Sequence, residues 1–193
     1  MLVGEGPYPR PESATGVCFM DGAVEALWSE KGLSKEVNRA TSLRNFIKML
    51  LVADGALSED STSGDALTEL AERARRPGSE WIHSLTALQA NLLRNGFLLL
   101  NASLVFRENV PPAREARAWK PFFLTVLEVL AKRENPDQLP ILVLWGKVAE
   151  QLRTSEMTLH FPQVTSEHPY NLSFIKNRRM QQLFGPMHLL RQH

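Results

Sequence analysis

The sequence predicts an α/β three-layer α/β/α sandwich with a mostly parallel central sheet. Three apolar runs too short for helices recur along the chain: residues 1–6, 97–101 (FLLLN, after Gly96) and 140–145 (PILVLW). Between them, apolar residues return every three or four positions, the spacing of a helix with one buried face. Strands alternating with such helices give a parallel sheet covered by helices. The length of 193 residues suits one domain of this kind, and no internal repeat is present, so a single domain over 1–193 is expected.

Residues 1–6 read as a strand running into a Gly-Pro-rich loop. Residues 22–29 read as a short helix, with Val24, Leu27 and Trp28 on one side. In residues 41–53, Leu43, Phe46, Ile47, Leu50 and Leu51 recur at helical spacing. Residues 54–65 (DGALSEDSTSGD) form a polar loop, and 65–76 resume a helix through Leu67, Leu70 and Ala74. Residues 79–93 repeat the pattern and stop at Asn95-Gly96, a helix C-terminal signal. The helix at 113–132 contains Pro121, which suggests that its regular part begins there. A short helix is expected at 146–152, a weaker strand at 158–164, and a last helix at 172–192 broken near Gly185-Pro186.

Composition excludes several classes. Hydrophobic residues at 44% and charged residues at 22% describe a chain that folds around a core, not a disordered one. No apolar run reaches the roughly 18–20 residues needed to cross a bilayer, and the first residues, MLVGEGPYPR, lack the apolar stretch of a secretory signal. Cys18 is the only cysteine, so intrachain disulfides and cysteine-rich zinc sites are excluded and a reducing cytoplasm is expected. The net charge of +1 exerts no global pull on nucleic acid. From His168 to His193, however, there is no acidic residue, while Lys176, Arg178, Arg179 and Arg191 are basic. That segment is either a solvated helix or a local field favouring an anionic ligand.

In parallel sheets, ligands sit beyond the carboxyl ends of the strands. Three loops therefore matter: 4–19, 101–109 and 165–173. The first is stiffened by Pro7, Pro9 and Pro11 and carries Glu5, Tyr8 and Phe19. It reads equally as a rigid turn with two packing aromatics. Asn101 follows FLLL and can present a donor and an acceptor to a flat ligand edge, or simply cap the turn. His168 is either an exposed histidine or an acid, base or hydrogen-bond donor. The two tyrosines of the chain, Tyr8 and Tyr170, both fall in these loops.

In order and spacing, these segments resemble the uracil-DNA glycosylase superfamily, most of all its classical family-one branch. Gly4-Glu5-Gly6-Pro7-Tyr8-Pro9 is similar to the water-activating G-Q-D-P-Y-H segment, and Gly16-Val17-Cys18-Phe19 to G-x-C-F. Thr41-Ser42-Leu43 resembles the phosphate-contacting P-S-L turn, and residues 96–102 the G-x-L-L-L-N segment. Leu144-Trp145-Gly146 matches the L-W-G strand end, and residues 168–173 (HPYNLS) resemble the H-P-S-P-L-S loop.

The resemblance implies a monofunctional glycosylase that flips uracil, or a related damaged base, out of DNA and hydrolyses its glycosidic bond in base excision repair. Phe19 would stack on the base, Asn101 would read its edge, and Tyr8 would crowd the 5-position against thymine. His168 would donate to the developing uracil anion. Leu172 would fill the vacated space. Ser42, Ser173, Arg178 and Arg179 would engage the DNA backbone, with Lys176 adding attraction. No metal or cofactor is implied, and the expected protein is a cytoplasmic monomer that does not engage membranes.

The sequence departs from the family-one pattern at instructive places. Gly6 stands where that branch has its catalytic Asp, among the base-contacting positions, and Pro9 where it has His. Glu5 precedes Gly6, and Gly4-Glu5-Gly6-Pro7 resembles a hybrid of the family-one motif and the G-E-x-P-G segment of the sister family four, so Glu5 is the expected water-positioning carboxylate, with Glu12 as second choice. Tyr170 and Asn171 replace the Ser and Pro of the wedge loop. The resemblance implies a helical segment before the first strand, which this branch is expected either to lack or to carry upstream of Met1. The alternative reading is a catalytically impaired or retasked member that binds DNA or uracil without cleaving. An unrelated α/β hydrolase has little support, because no G-x-S-x-G elbow occurs.

Overall fold

The structure, a computed structural model, describes residues 1–132, 139–147, 152 and 156–192. It falls into two compact units, Met1–Asp21 with Phe97–Ser166, and Gly22–Gly96 with Glu167–His193.

The first unit holds a four-stranded sheet of β1 (Leu2–Gly4), β4 (Leu99–Asn101), β5 (Leu142–Trp145) and β6 (Gln163–Ser166). The strand order is β4-β1-β5-β6 and every pairing is parallel. The α/β class and the parallel sheet thus follow the sequence reading. Side chains alternate across the sheet. Val3, Leu142 and Leu144 point into a core with Phe123 and Leu127 of α5 (Pro112–Ala131) and with Phe161. Leu2, Leu99, Asn101, Val143 and Trp145 occupy the opposite face and are also buried. Burial on both faces explains why these strands read as continuous apolar runs.

The second unit is mainly helical. A small antiparallel hairpin, β2 (Trp28–Ser29) and β3 (Gly32–Leu33), is followed by α1 (Lys35–Arg39), α2 (Thr41–Ala53), α3 (Asp65–Ala74) and α4 (Leu85–Arg94). After β6 come a 3₁₀ turn over Leu172–Lys176 and α6 (Arg178–Phe184). In this unit α2 packs against both, with the Phe46 ring meeting the Phe184 ring edge-on at 5.2 Å.

Several sequence expectations are corrected. Residues 22–29 are not helical. The Leu27 N–H donates to the His83 carbonyl, the Leu27 carbonyl accepts from Ser34, and the Trp28 indole donates to the Ile82 carbonyl. Partners far along the chain therefore draw this segment out into extended backbone. Helix α4 starts at Leu85, where the Ser84 side chain caps the Ala87 N–H, and not at 79; the preceding residues are extended and Trp81 bridges to Arg191. Pro121 lies inside one continuous α5. It removes the donor to the Arg117 carbonyl on an exposed face, where water can replace it. Strand β6 begins at Gln163, after a 3₁₀ turn over Glu156–His160 that buries Thr158. The last helix is divided at Asn177, whose extended backbone ends the 3₁₀ turn and whose side chain caps the Met180 N–H. Most of the helix expected at 146–152 lies outside the described residues.

Candidate functional site

Because the four strands run parallel, their carboxyl ends share one edge of the sheet. β1 ends at Gly4, β4 at Asn101 and β5 at Trp145, and Gly4 sits in register with Asn101. The pairing continues past the strands, with the Ala102 N–H donating to the Gly4 carbonyl at 2.8 Å and the Ser103 N–H to the Glu5 carbonyl at 3.2 Å. The sheet itself thus places the Glu5–Gly6 turn beside Asn101.

Asn101 is 4% exposed, and its buried side-chain oxygen has no hydrogen-bond partner among the described residues. An orphaned buried acceptor costs about 1–3 kcal/mol, so its retention marks a group kept for something other than stability. Gly4 makes room for it. A Cβ on Gly4 would fall well inside 3.0 Å of the Asn101 oxygen and 2.8 Å from the Cys18 Cβ. Cys18 is fully buried, and its thiol donates to the Leu2 carbonyl at 3.3 Å.

Phe19 adopts a left-handed backbone, φ +66°, which costs a non-glycine residue about 1–2 kcal/mol. Its ring meets the edge of the buried Trp145 ring, centroids 5.2 Å apart. The flanking loop is tied down: Thr15 donates to the Met20 carbonyl at 2.9 Å, and Ala14 bridges to Asp21. Tyr8 is half-buried. Burial first, then the nearby Asp21 and Cys18, push its phenol up to about 12. Asp21 is a buried carboxylate, 4% exposed, with Arg10 at 3.7 Å.

The expected carboxylates share one setting. Glu5 and Glu12 are both exposed on this loop. Gly6 is open enough to carry a side chain, since the atoms nearest to a Cβ there are those of Ser103, at 3.6 Å or more.

The second unit carries the remaining residues singled out in the sequence. Ser42 lies half-buried in the first turn of α2, where Ala40 supplies no side-chain cap and leaves the first N–H groups available. His168 is exposed, and its Nδ1 accepts from the Tyr170 N–H at 3.1 Å. A neutral ring in this arrangement carries its proton on Nε2, which can then donate. Leu172 and Ser173 are exposed at the start of the 3₁₀ turn, and Arg178 and Arg179 are exposed in the first turn of α6. Cations at a helix N-terminus oppose the helix dipole, so they are not there for the helix.

The basic C-terminal segment is less bare than its sequence suggests. Lys176 pairs with Asp60 at 2.7 Å, and Arg178 with Glu59 at 3.1 Å. Arg191 pairs with Asp54 at 2.6 Å and lies 3.6 Å over the Trp81 ring. The acidic residues of 54–60 thus answer the cations, and the expected field is partly neutralised within this unit.

Sequence reasoning missed the role of three residues. Asp21 is the carboxylate just beyond Phe19, in an otherwise apolar stretch. Trp145 reads as a strand end within the L-W-G match, with no contact to Phe19 expected. Asn45 is fully buried on α2, and its amide donates to the Pro169 carbonyl at 2.7 Å and the Tyr170 carbonyl at 3.2 Å. A single polar residue inside the apolar stripe of 41–53 is the signal that would have found it.

Among the described residues, no cluster of three or more His, Cys, Asp or Glu could hold a metal, and no helix is long and apolar enough to cross a membrane. Fold and strand-end residues together define a parallel α/β protein with a polar, aromatic-lined recognition edge. No family model matches the chain. A wild-type UNG crystal structure from Nitratifractor salsuginis is 42% identical, with a TM-score of 0.88, and the match covers 100% of this chain and 73% of that one. A uracil-DNA glycosylase from Clostridium perfringens is 34% identical over 90% of this chain and 59% of its own length. One from Nocardioides is 27% identical over 90% of this chain and 57% of its own. The chain belongs to the uracil-DNA glycosylase superfamily. It spans about three fifths of the length of the curated relatives it matches.

Proposed function

We propose that this protein excises uracil from DNA by hydrolysing the N-glycosidic bond. The observation that carries the reading is the buried Asn101 oxygen, without a partner among the described residues and held at a strand end against a glycine whose Cβ would overlap it. An acceptor without a donor suits the N3–H of uracil. Cytosine offers no hydrogen there, and a site built around a specific hydrogen bond rejects the ligand that lacks it.

In this reading the strained Phe19, backed by Trp145, supplies a ring face for the base. The neutral Tyr8 phenol crowds the 5-position. Glu5 positions the attacking water and offsets the positive charge developing on the sugar. As the bond breaks, negative charge grows on uracil, and His168, whose Nδ1 accepts from the Tyr170 N–H, donates to it. Water adds to the sugar carbon, its proton leaves, and uracil departs with the bonding electrons. Ser42, Ser173, Arg178 and Arg179 hold phosphates, and Leu172 occupies the gap left by the base. The partner is DNA, and the protein acts as a cytoplasmic monomer over a single domain, without metal or cofactor.

The test is incubation with single-stranded and duplex oligonucleotides containing one uracil, followed by alkali. Scission at uracil that disappears in Glu5→Gln and His168→Ala supports the enzyme. Binding that depends on uracil but gives no scission supports the retasked module instead.

A further inference from the structure

The loop of residues 168–172 offers solvent two large side chains, Leu172 at 70% and Tyr170 at 67% exposure. The backbone beneath them is held firmly. The buried Asn45 amide grips the carbonyls of Pro169 and Tyr170. The Asn171 N–H donates to the His168 carbonyl at 2.9 Å, and Tyr170 N–H to the His168 ring. Pro169, Phe174 and Ile175 are buried anchors on either side, and the Asn177 amide donates to the Glu167 carboxylate at 2.7 Å. A tightly braced loop that keeps a leucine and a tyrosine in water is arranged for contact, not for folding.

The chemistry of that contact follows from its surroundings. Lys176, Arg178 and Arg179 lie within nine residues of Tyr170 and are exposed; the first two sit in surface ion pairs with Asp60 and Glu59, weak enough for a phosphate to replace. A partner that is polyanionic and also offers flat apolar faces is a nucleic acid. Every base has such a face, so a tyrosine ring can stack on it without reading sequence.

We propose that Tyr170 is a second prong beside Leu172, its ring stacking on the DNA base next to the displaced nucleotide. The inference rests on the DNA reading above and extends it to a residue that stands where the related loop carries a small serine. A stacking prong favours sites where a base face is already bared: abasic positions, mismatches and single strands.

The experiment uses the full chain, a duplex oligonucleotide with a stable abasic-site analogue, and a matched intact duplex, with binding followed by fluorescence anisotropy. Tyr170→Ala should weaken binding to the abasic duplex by roughly 5- to 100-fold, the range of one lost base–aromatic stack, while Tyr170→Phe stays within about twofold. A 2-aminopurine beside the abasic position should be quenched by the wild type and by Tyr170→Phe, and much less by Tyr170→Ala. Tyr170 is exposed, so all variants should melt with the wild type. Equal binding by Tyr170→Ala would overturn the proposal, as would Tyr170→Phe failing as badly as Tyr170→Ala. A wild type that binds neither uracil-containing nor abasic DNA would instead overturn the DNA reading beneath it.

Discussion

Adding one methyl group at Gly4 probes the recognition edge at its tightest point. The new Cβ of Gly4→Ala would sit inside 3.0 Å of the Asn101 oxygen and 2.8 Å from the Cys18 Cβ. Something must move. Gly4 is tied to β4 by the Ala102 N–H, and Cys18 is buried with its thiol on the Leu2 carbonyl. The softest neighbour is the Asn101 amide, whose oxygen has no bond to lose. Overpacking of this kind costs about 1–3 kcal/mol, and a swung amide keeps the cost near the lower end. The proposed excision should suffer more, because the residue proposed to read the base is displaced; a loss of roughly 100-fold is expected, as for a misplaced polar contact to the reacting base. Urea unfolding by tryptophan fluorescence reports stability, and single-turnover uracil release reports function. In an Asn101→Ala background the same methyl should cost about 1 kcal/mol less, the coupling of two residues in contact. Strictly additive costs, or a Gly4→Ala protein with native stability and rate, would refute the reasoning.

Four further outcomes are expected. The Tyr8 phenol, held up to about 12 by burial, Asp21 and Cys18, and the Cys18 thiol, pushed up to about 12 mainly by burial, are neutral in the folded chain. Their unfolded counterparts ionise near 10.0 and 9.0, so stability is intact below pH about 9 and falls as pH rises toward about 12; Tyr8→Phe should flatten part of that fall in urea titrations at stepped pH. Glu59→Gln with Asp60→Asn releases Arg178 and Lys176, and should raise DNA affinity at low salt. The slope of log affinity against log salt should steepen by roughly 0.7–0.9 for each phosphate newly engaged, an effect read by titration at several salt concentrations. Asp54→Ala removes a buried carboxylate that serves both Arg191 and His188, and should cost about 3 kcal/mol in urea unfolding. Gly6→Asp should fold normally, given its open surroundings, and restore part of the excision rate that Glu5→Gln loses, measured in the same background.

The fold was legible where burial is two-sided. FLLLN and PILVLW read as strands because both faces of the sheet are covered, and α2 matched its apolar spacing from end to end. Residues 22–29 misled because Val24, Leu27 and Trp28 mimic a helical stripe, whereas their backbone partners lie at 34 and 82–85, out of reach of any local pattern. The final helix was overextended because Asn177 looks ordinary in sequence; only its extended backbone and its bond to Met180 show it to be a cap. At the candidate site, the strand-end rule placed Asn101 and the Glu5–Gly6 turn beside each other, as the β1–β4 register shows. Asn45 was missed for the opposite reason. Its partner Pro169 is 124 residues away, so its meaning is entirely tertiary. Pairing of Lys176 and Arg178 with Asp60 and Glu59 was hidden in the same way, since charge runs count residues and not partners.

The most direct test of the account is chromatographic measurement of free uracil released in a single turnover by the wild type, His168→Ala and Asn101→Ala. The wild type should liberate the base, and loss of the Nε2 donor should slow release by roughly 100- to 1,000-fold, with Asn101→Ala also losing its preference for uracil over cytosine. A wild type that retains uracil DNA yet frees no base, or one whose rate ignores both substitutions, would contradict it.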